Sequence, residues 1–133
     1  MINHDAIRKF ALEAIEQFDI ATPSATTVSR TLSGGNLQKL ILARELSQKP
    51  TFLIANQPTR GLDVGATEYV RRRLLDQRQQ GAAILLISED LDEVINLSDR
   101  VAVMFKGEIM DILAAKDVTM KRLGLLMAGV KAE

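Results

Sequence analysis

Two short apolar runs, residues 52–55 and 83–88, flank one segment of helical character, and this arrangement admits few folds. Runs without polar alternation suit strands covered on both faces, as in parallel sheets. The first run stops at Gln57, Pro58, Thr59, Arg60 and Gly61, a cluster that predicts a loop. A helix is predicted from about residue 65 to 80, with Gly81 placed to close it.

The flanks fit the same class. Ile7, Phe10, Ala11, Ala14, Ile15 and Phe18 recur at helical spacing, so residues 5–18 read as an amphipathic helix. Thr, Ser and Pro23 make residues 21–31 a loop. Leu37, Leu40, Ile41 and Leu46 mark a second helix that follows Gly34 and Gly35 and ends near Lys49, ahead of Pro50, with Ser33 in the capping place. After a short helix over residues 90–97, two strand-like runs, 100–105 and 108–113, flank Lys106 and Gly107, the spacing of a tight hairpin. A helix over residues 118–127 closes the chain. The order predicts an α/β fold with a mainly parallel sheet and an antiparallel addition. At 133 residues there is room for one domain, and with 47% hydrophobic but only 4% aromatic residues its core must be aliphatic. Met104, Met110, Met120 and Met127 are expected as core filler.

Composition removes several function classes. Lys plus Arg and Asp plus Glu both number 17, so no long-range field draws the chain to nucleic acid. No cysteine is present, which rules out disulfides, thiolate metal sites and cysteine nucleophiles. No apolar run reaches the ~20 residues of a membrane helix, so membrane contact is expected only through a partner. His4, in the polar start, reads as solvated. Arg71, Arg72, Arg73 and Arg78 share a segment with Glu68 and Asp76 and read as a solvated face. Asp90, Asp92, Glu93 and Asp99 lack calcium-loop spacing and read as caps and surface, so no metal site is expected.

Chemistry concentrates at Leu32-Ser33-Gly34-Gly35-Asn36-Leu37-Gln38, a hydroxyl and two glycines at a helix start. Glycine lets the backbone approach a phosphate, and a helix start offers free amide donors and the positive end of the dipole. For Ser-Gly-Gly alone, simple capping is the better account. The context changes that balance, because a strand, Asn56-Gln57-Pro58-Thr59-Arg60-Gly61-Leu62-Asp63, a helix and another buried strand follow in order.

That order resembles the ATPase domains of ABC transporters. In this family an LSGGQ-type signature heads a helix, and the Walker B strand, the D-loop and the strand leading to the switch histidine follow. The resemblance covers residues 5–129. Ser33-Gly34-Gly35-Asn36 with Gln38 and Lys39, and Thr59-Arg60-Gly61-Leu62-Asp63-Val64-Gly65-Ala66, look like the branch serving simple-sugar and nucleoside importers. The resemblance implies a partial P-loop NTPase sheet. Residues 1–50 would be helical subdomain and signature helix, and 51–133 part of the core sheet with the C-terminal helix.

Three positions depart from the family. Where Walker B ends in a magnesium-holding aspartate and a water-polarising glutamate, this chain has Asn56 and Gln57, and at the switch histidine it has Glu89. An amide carries no charge for a divalent cation and accepts no proton at neutral pH, and an ionised Glu89 repels a phosphate. No GxxxxGK[ST] loop occurs; the nearest approach, Gly124 to Gly129 with Val130 and Lys131, misplaces its lysine. The family's ATP lies between the Walker A face of one domain and the signature loop of the other. The expectation is therefore that Ser33, Gly34, Gly35, Asn36, Gln38 and D-loop Asp63 serve ATP bound on a partner domain, while the chain's own site is degenerate and the chain alone is inactive.

The resemblance further implies ATP and magnesium in the parent assembly. Partners would be the rest of the same nucleotide-binding domain, a second such domain in the same polypeptide, and permease subunits holding the assembly at the cytoplasmic face of the membrane. In isolation the chain is expected to expose an apolar face and self-associate. Two rival readings are a non-transport ABC ATPase of DNA repair or translation and a non-enzymatic docking module.

Overall fold

The computed structural model describes residues 2–130, and the chain divides into two compact units, Met1–Leu85 and Leu86–Glu133. Lys131 lies outside the described residues. The first unit carries α1 (His4–Gln17), α2 (Gly34–Leu46), β1 (Phe52–Asn56) and α3 (Val64–Gln79); β2 (Ala83–Ile87) begins in it and ends in the second. The second unit carries α4 (Leu91–Leu97), β3 (Arg100–Phe105), β4 (Glu108–Ala114) and α5 (Met120–Met127).

β1 and β2 pair as one two-stranded sheet, with the Ala83 amide bonded to the Thr51 carbonyl at 2.9 Å where the pair starts. The helix between them ends as its sequence predicts. Gly81, at φ +94°, lets its own amide reach the Arg78 carbonyl and the Ala82 amide reach that of Gln77, the paired bonds of a Schellman stop. The strands differ from expectation in being covered on one face only. Ala55 is buried, yet Phe52 and Ile54 are 57% and 58% exposed and Leu85 and Ile87 are also exposed. A continuous apolar run signals two faces that need covering, but nothing local in it supplies the cover.

α1 shows the same economy. Its last turn is buried through Ala14 and the adjoining Phe18, while Ile7 and Phe10 of the expected apolar face stay exposed. What fixes this helix is the capping of its C-terminal end by side chains from far along the chain. The Gln17 carbonyl accepts from Arg73 Nη2 at 2.6 Å, that of Phe18 from the Tyr69 hydroxyl at 2.7 Å, and that of Asp19 from Lys39 Nζ at 2.7 Å. Three otherwise orphaned acceptors are thereby satisfied. The arginine segment is thus partly structural: Arg73 also stacks near Phe18 and Tyr69, while Arg71 pairs with Glu68 at 3.7 Å on the surface. In the loop that follows, Ser24 and Thr27 bond to one another, and a single 3₁₀ turn, Ser29–Thr31, leads into the Ser33 loop.

Lys39 also approaches Asp19 Oδ2 at 2.8 Å. That hydrogen bond, and then the lysine charge, hold the Asp19 carboxyl below its ordinary value of 3.8. A carboxylate whose pKa is lower in the folded state adds stability above its unfolded pKa and loses it as pH falls through the folded one. Asp19 sits at φ +50°, a conformation asparagine also tolerates, so Asp19→Asn isolates the charge. The expected result is a small loss of melting temperature at neutral pH, because Asp19 is exposed, that fades as pH falls below 3.8 and is gone once the lower pKa of the folded state has been passed. A difference that persists in acid would show that the charge is not its source.

In the second unit, β3 and β4 form the expected antiparallel hairpin, with Lys106 and Gly107 at φ +49° and +84° in its two-residue turn. The register slips between Val103 and Met104, where Val103 faces Asp111 but Met104 faces Ile109. Val101, Val103 and Leu113 of the hairpin and Leu123 and Leu126 of α5 make an aliphatic core. Met110 packs against it, whereas Met104, Met120 and Met127 are exposed and do not act as filler. Glu93 departs from its surface reading, being fully buried on α4. Asp90 does cap that helix, accepting from the Glu93 amide at 3.0 Å. Among the described residues no helix is long and apolar enough to cross a membrane.

Candidate functional site

The Ser33 loop is built by its own hydrogen bonds. Ser33 is the N-cap of α2, and its backbone carbonyl accepts the first helical bond, from the Leu37 amide at 2.8 Å. Its hydroxyl oxygen accepts from the Asn36 amide at 3.3 Å and from Asn36 Nδ2 at 2.9 Å. The other end of the same side chain, Asn36 Oδ1, accepts from the Ala21 amide at 2.8 Å and so ties the loop to the segment leaving α1.

The two glycines do different work. A Cβ added to Gly34 would meet nothing within 4 Å, which leaves open space beside the helix start for a ligand to reach the backbone. A Cβ on Gly35 would lie 3.1 Å from Ala66 Cβ, so this glycine lets the start of α2 rest against the start of α3. Asp63 caps α3 by accepting from the Ala66 amide at 2.9 Å. Gln38 Nε2 donates to the Pro58 carbonyl at 2.9 Å, fastening α2 to the loop after β1. Ser33, Gly34, Gly35, Asn36, Gln38 and Asp63 are therefore gathered at the neighbouring N-termini of two helices. There backbone amides and dipoles favour an anion.

Asn56 is the exposed last residue of β1, and Gln57, at φ +49°, starts the turn that leads through buried Pro58 to Gly61. Glu89 belongs to the second unit, between β2 and α4, immediately before the capping Asp90. Among the described residues no three His, Asp or Glu side chains converge in a way that could hold a metal. The amide pair at 56 and 57 does not fit magnesium either, since neither side chain carries the negative charge a hard cation selects. A shallow cleft of about 250 Å³ lies at the opposite, C-terminal ends of α1, α2 and α3, lined by Phe10, Gln17, Leu46, Arg73 and Gln77.

No family model matches the chain. Over 121 residues, 91% of this chain, it is 51% identical to the guanosine import ATP-binding protein NupO of Bacillus subtilis. It is 45% identical over 128 residues, 96% of the chain, to the nucleoside import ATP-binding protein NupA of Lactococcus lactis, and 48% identical over 130 residues, again 96%, to the glucose import ATP-binding protein TsgD13 of Haloferax volcanii. The chain belongs to the ATP-binding-cassette family. It spans about a quarter of the length of these relatives, 24%, 25% and 24%. The fold agrees with this. The cassette MJ0796, in a dimeric post-hydrolysis state bound to ADP and Pi, superposes with a TM-score of 0.72 over 86% of this chain and 50% of that one, at 24% identity. The cassette MJ1267 superposes with a TM-score of 0.75 over 100% of this chain and 53% of that one, at 20% identity.

The contacts that Asn36 and Gly35 make are not legible in the local sequence. The Asn36 bond to Ala21 spans 15 positions and has no local signal. Tyr69, the single tyrosine, likewise carries no local sign of the bond its hydroxyl donates to the Phe18 carbonyl, 51 positions away.

Proposed function

We propose that this chain is the later part of one nucleotide-binding domain in the ATP-binding subunit of an importer for a simple sugar or nucleoside. Its Ser33 loop serves ATP held by a partner domain. Residues 1–50 supply helical subdomain and signature helix, and residues 51–133 supply part of the core sheet and the C-terminal helix. The rest of the same domain covers the bare face of β1 and β2, and an isolated chain self-associates through it. A second nucleotide-binding domain in the same polypeptide and permease subunits complete the assembly at the inner face of the membrane. The specificity reading rests on relatives whose names specify guanosine, nucleoside and glucose import.

One observation carries the division of labour: the Ser33 loop keeps a hydroxyl, open space at Gly34 and a helix start, while residues 56 and 57 are amides. In the assembly ATP supplies the phosphoryl group to be hydrolysed, and this chain's part is to present donors to its phosphate. The test is ATP hydrolysis by the complete polypeptide. Asn56→Asp combined with Gln57→Glu should leave the rate within about twofold, whereas a working base installed at a site that limits turnover adds ~10²–10⁴-fold. A gain of that size overturns the degenerate half-site, and absence of ATP hydrolysis by the unaltered polypeptide favours a docking module.

A further inference from the structure

We propose that Asn36 is a positioning residue that makes the Ser33 hydroxyl an obligatory hydrogen-bond donor, aimed away from the helix toward an incoming phosphate. The inference rests on the reading of the Ser33 loop as a phosphate contact, and it assigns Asn36 a specific duty within it.

The orientation of the Asn36 amide follows from the Ala21 contact. A backbone N–H can only donate, so the Asn36 atom 2.8 Å from the Ala21 nitrogen is the carbonyl oxygen. The other atom of the amide, 2.9 Å from Ser33 Oγ, is then the NH₂ group, which can only donate. Ser33 Oγ also accepts from the Asn36 backbone amide at 3.3 Å. A hydroxyl has two lone pairs and one hydrogen. With both lone pairs engaged by Asn36, the hydroxyl hydrogen is left to point outward, where Gly34 leaves open space. A serine used only as a cap needs a single acceptor bond; the second, from a side chain anchored 15 residues away, removes its freedom to turn. Such preorganisation matters because a donor that need not reorient stabilises developing charge at no further cost.

Asn36→Asp isolates this duty. The carboxylate keeps an acceptor for the Ala21 amide but has no N–H for Ser33, so it draws the hydroxyl hydrogen inward. The experiment is a double-mutant cycle of Ser33→Ala and Asn36→Asp in the complete transporter, with kcat and KM for ATP and the melting temperature measured for each variant. Asn36→Asp alone should lower kcat by on the order of tenfold to a hundredfold, with KM and melting temperature nearly unchanged. In the Ser33→Ala background the same change should lower kcat less than about threefold, because its route through the hydroxyl is gone. Equal losses in both backgrounds would overturn the inference, since a carboxylate repelling the phosphate directly acts whether or not Ser33 is present. Should Ser33→Ala by itself leave kcat unaltered, the phosphate-contact reading fails first, and this inference falls with it.

Discussion

Ser33→Arg is expected to reduce ATP hydrolysis by the complete transporter by at least about 10²-fold while leaving the protein folded, the scale on which single preorganised donors act in enzyme sites. Ser33 is exposed, so the new side chain displaces no core residue. Its structural cost is the lost cap at α2, typically about 1 kcal/mol. The functional cost is much larger, for two reasons. The hydroxyl donor disappears, and a long guanidinium fills the open space at Gly34 through which, on the proposed reading, a phosphate approaches. The charge of the arginine does not rescue the site, because attraction to a phosphate held off by several ångströms cannot replace a contact within hydrogen-bond reach. Hydrolysis rate and thermal melting measured together check the claim. A dead but stably folded variant supports a loop acting at the partner's ATP, and undiminished hydrolysis would make the loop idle and the chain a docking module.

The order of elements and most of the candidate site were legible in the sequence because both are written in local signals. Ser33, Asp90 and Gly81 stand where caps belong, and each occupies its helix terminus as expected; Asp63, read only as a loop residue, caps α3 as well. The Lys106-Gly107 turn follows from spacing alone. What could not be read depends on contacts between distant segments. The C-terminal end of α1 is finished by Lys39, Tyr69 and Arg73, which lie 20 to 56 positions away from the carbonyls they cap. Gly35 looked like a second phosphate glycine, yet its missing Cβ is explained by the approach of Ala66. Glu93, read as surface, lies fully buried because α4 turns that position inward. Periodicity says which residues prefer cover, and only tertiary structure says whether cover is present: Phe52 and Ile54 have the pattern of buried strand residues and are open on this chain.

Leu126→Ala is expected to destabilise the second unit by about 2–5 kcal/mol, the range for emptying a closed leucine site. Leu126 and Leu123 are each 1% exposed, and with Val101, Val103 and Leu113 they form a core containing no aromatic ring. Small aliphatic side chains on two paired strands cannot swing far to refill the space, so most of the cavity should remain. Native stability is typically about 5–15 kcal/mol, so the loss is a large share of the total. Leu125→Ala is the matched control. It lies on the same helix, one position away, and makes the same change in helix propensity, but Leu125 is 39% exposed. The expected cost there is within about 0.5–1 kcal/mol, so the difference between the two variants in chemical denaturation reports burial against the hairpin and nothing else. Equal costs at the two positions would mean that α5 does not dock on β3 in solution. In that event the conformation of Gly129, which at φ +83° leaves room for the Phe105 ring where a Cβ would come within 2.5 Å, would lose its physical reason as well.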